Sequence, residues 1–214
     1  MIALQALKLN QVHINDDELH IGATMTLQAI CDHELTPTSL QQAAGFTYSR
    51  HIRNQATLGG EIAANQVDNG LVPTLVALKA ELKLADEQII TVEDYILSEN
   101  KELITKIILP EPQMTCTQHR ITRNADGLAV LTAAVSLPKD QTHPIMAISG
   151  MGVDALRLRD VEALNLEGAD LERAVADSVF PIEDLRGSVE YKKYIAGVVI
   201  ADLLVESQQQ EERK

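Results

Sequence analysis

Tyr48-Ser49-Arg50-His51-Ile52-Arg53-Asn54-Gln55-Ala56-Thr57-Leu58-Gly59-Gly60-Glu61-Ile62-Ala63-Ala64 leads, through Asn69-Gly70-Leu71-Val72-Pro73, to an apolar run ending at Leu84. A basic approach meets a Thr-x-Gly-Gly turn and leaves through small residues. Two adjacent glycines remove two side chains, so the backbone can turn sharply and a ligand can approach its amides. Successive N–H groups in such a turn can form a concave anion nest. The Thr57 hydroxyl would add a donor, and Arg50 and Arg53 add positive charge. That chemistry suits a phosphate or diphosphate. The plain alternative is a Gly-Gly turn that only joins two elements.

Outward from this stretch, secondary structure follows local signals. Residues 1–9 alternate loosely as one strand. Val12-His13-Ile14 and Leu19-His20-Ile21 read as a hairpin turning at Asn15-Asp16-Asp17. Gly22-Ala23-Thr24 then leads into a helix over Leu27-Gln28-Ala29-Ile30, with Thr26 as its N-cap. Thr36 to Ala44 reads as a capped helix with Pro37 near its first turn and Gly45 at its end. Arg50 to Ala64 reads as mostly irregular. Pro73 opens a helix through about Ala80. Strands follow at Glu81–Leu84 and Gln88–Val92, turning at Asp86-Glu87, and then a short helix over Val92–Ile96. A β-branched strand over Leu103–Leu109 stops at Pro110 and Pro112, because proline cannot donate to a ladder.

Past the prolines the pattern changes. Cys116–Thr122, Ala129–Leu137 and Pro144–Met151 read as three antiparallel strands, with turns at Ala125-Asp126-Gly127 and Pro138-Lys139-Asp140. Leu171–Val179 reads as a helix. Ser188–Ser207 reads as a long amphipathic helix burying Tyr191, Tyr194, Ile195, Val198, Val199 and Leu203. Gln208–Lys214 reads as a frayed polar tail. Strands followed by helices imply an α+β chain.

The bulk numbers exclude several classes. A formal charge of -13 on 214 residues opposes nucleic acid and anionic membrane surfaces as partners. Hydrophobic residues make up 45%, enough for a real core, but aromatics only 3% with no Trp, so Leu, Ile, Val and Ala must build it. Cys31 and Cys116 form no CxxC, and a cluster would need about four cysteines. The histidines at 13, 20, 33, 51, 119 and 143 show no HExxH or helical pair, so no metal site is expected. No signal peptide is evident. The apolar run from Ile195 to Leu204 carries Asp202 and is too short to span a bilayer. These features fit a reducing cytoplasm. No nucleophile elbow or triad is found, so no catalytic residue is assigned.

Ile52-Arg53-Asn54, Ala56-Thr57-Leu58-Gly59-Gly60 and Ile62-Ala63 together resemble the second flavin loop of the FAD-binding subunits of molybdenum hydroxylases, the xanthine dehydrogenase and carbon monoxide dehydrogenase type. Ile21-Gly22-Ala23-Thr24-Met25-Thr26-Leu27, Pro73-x-Leu75-x-Ala77-Leu78-x-Ala80 and Leu185-Arg186-Gly187-Ser188-Val189 extend the likeness along nearly the whole chain. It runs closest to the enterobacterial branch assigned to selenate reductase or xanthine dehydrogenase complexes. The resemblance implies a partial PCMH-type FAD-binding domain, lacking its first subdomain, over residues 1–112. A C-terminal flavoprotein domain, a three-stranded antiparallel sheet with packed helices, follows over 113–207, and then the tail, 208–214.

It further implies FAD, an iron–sulfur subunit and a molybdenum-cofactor subunit as partners, and an external acceptor such as NAD. The implied function is electron transfer; a docking subunit that has lost the flavin is the alternative. Carried over by position, Ala56, Thr57, Leu58, Gly59 and Gly60 match the loop that holds the diphosphate and ribityl region, with Arg53 beside it. Gly22, Ala23 and Thr24 match a segment lying against the flavin. Glu61 stands where the family usually has Asn, and Gly70 where many members have Asp, unless Asp68 or Asn69 substitutes. Ile104 matches an apolar position packed on the ring, or is plain strand core. His119 stands where many members place Lys near the ring, or is a surface histidine; Arg120 would point the other way. The family's first phosphate loop has no counterpart in these residues, Met1 falling on the strand after it; either the protein starts upstream, or this short form stands alone and fewer backbone donors are expected for the diphosphate.

Overall fold

The computed structural model describes Leu4 and residues 7–46, 49–67, 70–99, 102–124, 127–139, 143–152 and 155–214. Tyr48, Asp68, Asn69 and parts of the turns expected at Ala125-Asp126 and Asp140 lie outside them, as does most of the strand expected over residues 1–9. Leu7–Leu9 is not a strand: Lys8 has a left-handed φ of 52° that breaks any extended run.

A five-stranded antiparallel sheet carries the first part of the chain. It comprises β1 (Val12–Asn15), β2 (Glu18–Gly22), β3 (Glu81–Leu84), β4 (Ile89–Thr91) and β5 (Ile104–Leu109), in the spatial order β1-β2-β5-β3-β4. Asp16 and Asp17, at φ 50° and 68°, close the β1–β2 hairpin as a two-residue left-handed turn, the geometry whose twist matches paired strands. The helices here are α1 (Leu27–Asp32), α2 (Thr38–Gly45), α3 (Arg50–Arg53), α4 (Leu58–Ala64), α5 (Leu71–Ala77) and α6 (Val92–Leu97). Thr26 caps α1 and Thr91 caps α6, each accepting from the amide three residues on. The stretch from Arg50 to Ala64, expected to be irregular, instead forms α3 and α4. Thr57 accepts a bond from the Gly60 amide and so nucleates a helix through both glycines.

The second part is a meander of β6 (Thr115–Thr122), β7 (Ala129–Leu137), β8 (Ile145–Ser149) and the two-residue edge strand β9 (Leu156–Arg157), in that order. The three expected strands are its body. Helices α7 (Arg159–Glu162), α8 (Gly168–Ser178) and α9 (Val189–Glu212) follow. One face of the sheet, with Leu131, Ala133, Val135, Met146 and Ile148, packs on Leu171, Val175, Ala196, Val199, Ile200 and Leu203 of α8 and α9. The other face, with Cys116, Ala134 and Ala147, joins the core of the first part. Helix α5 is sandwiched there, and every one of its residues is buried, Thr74 among otherwise apolar side chains. Each fully buried Leu or Ile contributes about 1.5–3 kcal/mol.

Two expectations for α9 fail. Tyr191 and Tyr194 are exposed, while Lys192 is buried with its Nζ donating to Ile182 O at 2.7 Å and paired to Asp184 at 3.0 Å. Residues 208–212 are helical rather than frayed; Thr115 donates to Glu211, and Lys214 Nζ donates to Gln113 O at 3.0 Å. Among the described residues, no helix is long and apolar enough to cross a membrane, and no group of three potential metal ligands occurs.

Candidate functional site

Two segments far apart in sequence are zipped together beside the first sheet. Gly22 leaves β2, and Gly22-Ala23-Thr24-Met25 turns back on itself, Met25 N donating to Gly22 O at 3.0 Å. Against it lies Ala56-Thr57-Leu58-Gly59. Leu27 N donates to Ala56 O at 3.0 Å, Leu58 N to Met25 O at 2.9 Å and Gly59 N to Ala23 O at 2.9 Å. Thr26 and Thr57 form an antiparallel bridge. Ala23 N donates to Thr105 O at 3.1 Å, which brings Ile104 of β5 to the same corner. The structure therefore gathers Gly22, Ala23, Thr24, Ala56, Thr57, Leu58, Gly59, Gly60, Glu61 and Ile104 into one neighbourhood.

The two glycines do different jobs. A Cβ on Gly59 would stand 2.8 Å from Ala23 Cβ and 3.0 Å from Ala23 O, so its bareness serves packing within the chain. Gly60 is exposed, and a Cβ there would meet only Thr57 Oγ1, at 2.8 Å. The anion nest expected from successive amides is not vacant: Leu58, Gly59 and Gly60 each donate inside the protein, Gly60 N to Thr57 Oγ1 at 3.2 Å. Gly60 leaves its bare backbone exposed, and the half-buried Thr57 keeps its hydroxyl proton to donate because its oxygen is the acceptor in the cap. Thr24 and Glu61 are half-buried at the rim, and Ile104 is buried in the core. Glu61 lies in the first turn of α4, where the helix dipole favours a carboxylate and a phosphate would be repelled by it.

Arg53 ties elements rather than standing open. Its Nε donates to Gln28 Oε1 at 3.1 Å and its Nη1 to Gly45 O at 3.5 Å, linking α3 to α1 and α2. Gly22 is covered by the chain's own Leu9–Gln11: its N donates to Gln11 O at 2.8 Å, and a Cβ would lie 2.2 Å from Leu9 O. Gly70 is buried against Phe46 and Thr132.

His119 does not join this neighbourhood. On β6, Thr117 and His119 share the α9 face, Thr117 Oγ1 donating to Leu203 O at 3.0 Å and His119 Nε2 lying 3.5 Å from Glu206. Gln118 and Arg120 take the opposite face. Gln118 Nε2 donates to Gln42 Oε1 of α2 at 2.7 Å, and Arg120 Nη2 donates to Gly127 O at 2.6 Å. The cation on the side of the first sheet is Arg120. Strand parity shows that the two residues differ in facing; only the packing of α2 and α9 shows which faces which.

Residues 1–112 match the family model described as FAD binding domain in molybdopterin dehydrogenase, more than half of the chain. The chain belongs to that family. FAD is the family's cofactor. Among relatives of the FAD-binding domain, the uncharacterized protein YgfM of Escherichia coli strain K12 is 48% identical over 208 residues, 97% of this chain and 80% of that protein. A xanthine dehydrogenase of Blastobotrys adeninivorans is 29% identical over 164 residues, 63% of this chain and 12% of that one. A carbon monoxide dehydrogenase from Hydrogenophaga pseudoflava has the same fold, with a TM-score of 0.80 at 23% identity, covering 94% of this chain and 78% of that chain.

The residues present fit part of an FAD. Thr24 and Thr57 bring two hydroxyl side chains beside the exposed, bare backbone of Gly60, and Ile104 lies in the core next to the Ala23–Thr105 contact. The amides that would complete a diphosphate cradle are already bonded.

Proposed function

We propose that this chain is the FAD-binding electron-transfer subunit of a molybdenum hydroxylase-type complex. In this reading it sits between an iron–sulfur subunit and an external acceptor such as NAD, with the molybdenum cofactor on a third chain, in the cytoplasm. The observation that carries it is the family match over residues 1–112, within which Ala23, Thr24, Thr57, Gly60 and Ile104 share one corner. The flavin, when bound, supplies the redox chemistry; the protein holds and orients it. Thr57 would hold a phosphate oxygen through a hydrogen bond from its hydroxyl, and bare Gly60 would leave room for that oxygen. Thr24, half-buried, forms the opposite lip, with buried Ala23 packed behind it. Substrate choice, xanthine or selenate, belongs to the molybdenum chain.

A second reading is a docking subunit that keeps the fold without the flavin. The bonded amides of Leu58, Gly59 and Gly60, and the carboxylate of Glu61, favour it. Mixing purified protein with excess FAD and desalting separates the two. Retained flavin absorbance supports the first; a folded, colourless protein that still co-purifies with iron–sulfur and molybdenum subunits supports the second.

A further inference from the structure

A second helix start in the molecule has what the first lacks. Helix α2 begins after Pro37, which has no side-chain acceptor, and among the described residues no side chain caps its first amides. Unpaired N–H groups there concentrate the positive end of the helix dipole. They border a cavity of about 340 Å³ lined by Thr36, Pro37, Ser39, Gln113, Thr115 and Lys214, among others.

Thr36 supplies an independent sign. The residue is 4% exposed, it lines this cavity, and its hydroxyl has no hydrogen-bond partner among the described residues. A buried hydroxyl left unpaired costs about 1–3 kcal/mol, so an unmet donor there points to something that would meet it. Lys214 also lines the cavity. Its Nζ donates to Gln113 O at 3.0 Å and pairs with Glu211 at 3.2 Å, which leaves a third N–H. Two carboxylates are near. Glu211 is engaged by Thr115 and Lys214, and Glu34 is exposed at the rim.

We propose that this cavity binds a phosphate group, held by the first amides of α2, the Thr36 hydroxyl and Lys214. The site is separate from the Thr57–Gly60 edge and independent of whether that edge holds FAD. The test is calorimetric titration of the full chain with inorganic phosphate, at fixed ionic strength in chloride. Saturable one-site binding is expected, unaffected by excess FAD. Thr36→Val keeps the shape and removes the hydroxyl; it should weaken phosphate binding about tenfold, the worth of one hydrogen bond to a charged group. Lys214→Gln, at a half-exposed side chain of the C-terminal turn, should weaken it by a smaller factor. Absence of saturable binding overturns the proposal. So does displacement of phosphate by FAD, or equal affinity in wild type, Thr36→Val and Lys214→Gln.

Discussion

Helix α4 opens on Thr57-Leu58-Gly59-Gly60, and helix α2 opens on Pro37-Thr38-Ser39-Leu40. The first has the composition of an anion site and spends its amides internally: Met25 O, Ala23 O and Thr57 Oγ1 take all three. The second has no glycine and no basic approach, yet it leaves its amides without a side-chain cap beside a cavity. Glycine makes close approach possible, but what approaches can be the protein itself. At Gly59 it is Ala23. Whether a helix start can receive a ligand depends on which donors remain after the chain has satisfied itself.

The sharpest way to break this comparison is at Gly59. Gly59→Val forces a branched side chain into Ala23 backbone and Cβ, with no flexible group to give way. The loss should be about 3 kcal/mol or more, read as a lower urea midpoint. Gly60→Ala meets only the Thr57 hydroxyl and should move stability by less than about 1 kcal/mol while lowering FAD uptake. Equal losses at the two positions would mean that both glycines serve packing and that no ligand edge exists.

A smaller effect tests the cap. Thr57→Ala removes the acceptor for Gly60 N and should cost about 1 kcal/mol, with Thr57→Ser retaining most of it. The reverse substitution tests the other start. Pro37→Ser gives α2 the hydroxyl acceptor it lacks, so stability should hold or rise by about 0.5 kcal/mol, while phosphate binding falls because the amides are then occupied. A Pro37→Ser protein that binds phosphate unchanged would show that those amides play no part.

Local features were legible in the sequence because their causes are local. The Asp16-Asp17 turn, the Thr26 cap and the stop at Pro110 each depend on a few neighbouring residues. The α+β class followed from the order of such segments. The site was legible only as a set of segments, since Ala23 and Gly59, which pair directly, are separated in sequence by α1, α2 and α3. Thr57 carried the cap signal for α4, but the glycines after it masked a helix, glycine being the poorest helix former after proline. On α9, apolar size misled. Tyr191 and Tyr194 face solvent because the helix meets α8 through small residues; a Cβ on Gly197 would stand 2.4 Å from Glu172 O. Lys192 is buried because Ile182 O and Asp184 await its ammonium, and both come from the preceding loop.

The mildest prediction asks whether the start of α2 is as firm as its geometry implies. Cys116 lies beside it, 8% exposed, and burial pushes its thiol from 9.0 up to about 12, with the Ser39 hydroxyl opposing. A raised value in the folded state means that folding favours the protonated thiol. This contribution is whole below the ordinary value of 9.0 and is lost as pH rises from there towards about 12. At pH 8 only a fraction on the order of 10⁻⁴ is thiolate, the nucleophilic form, so Cys116 should resist a thiol-specific reagent in native protein and react once the protein is unfolded in urea. Cys31 is half-buried, and burial raises its value too, with Arg53 opposing, so it should label slowly but first. Labelling Cys116 as fast as Cys31 in the native state would mean that the α2 start opens readily. Its unpaired amides would then be satisfied by water during those openings, and the contrast with the closed start of α4 would reduce to a difference in fraying.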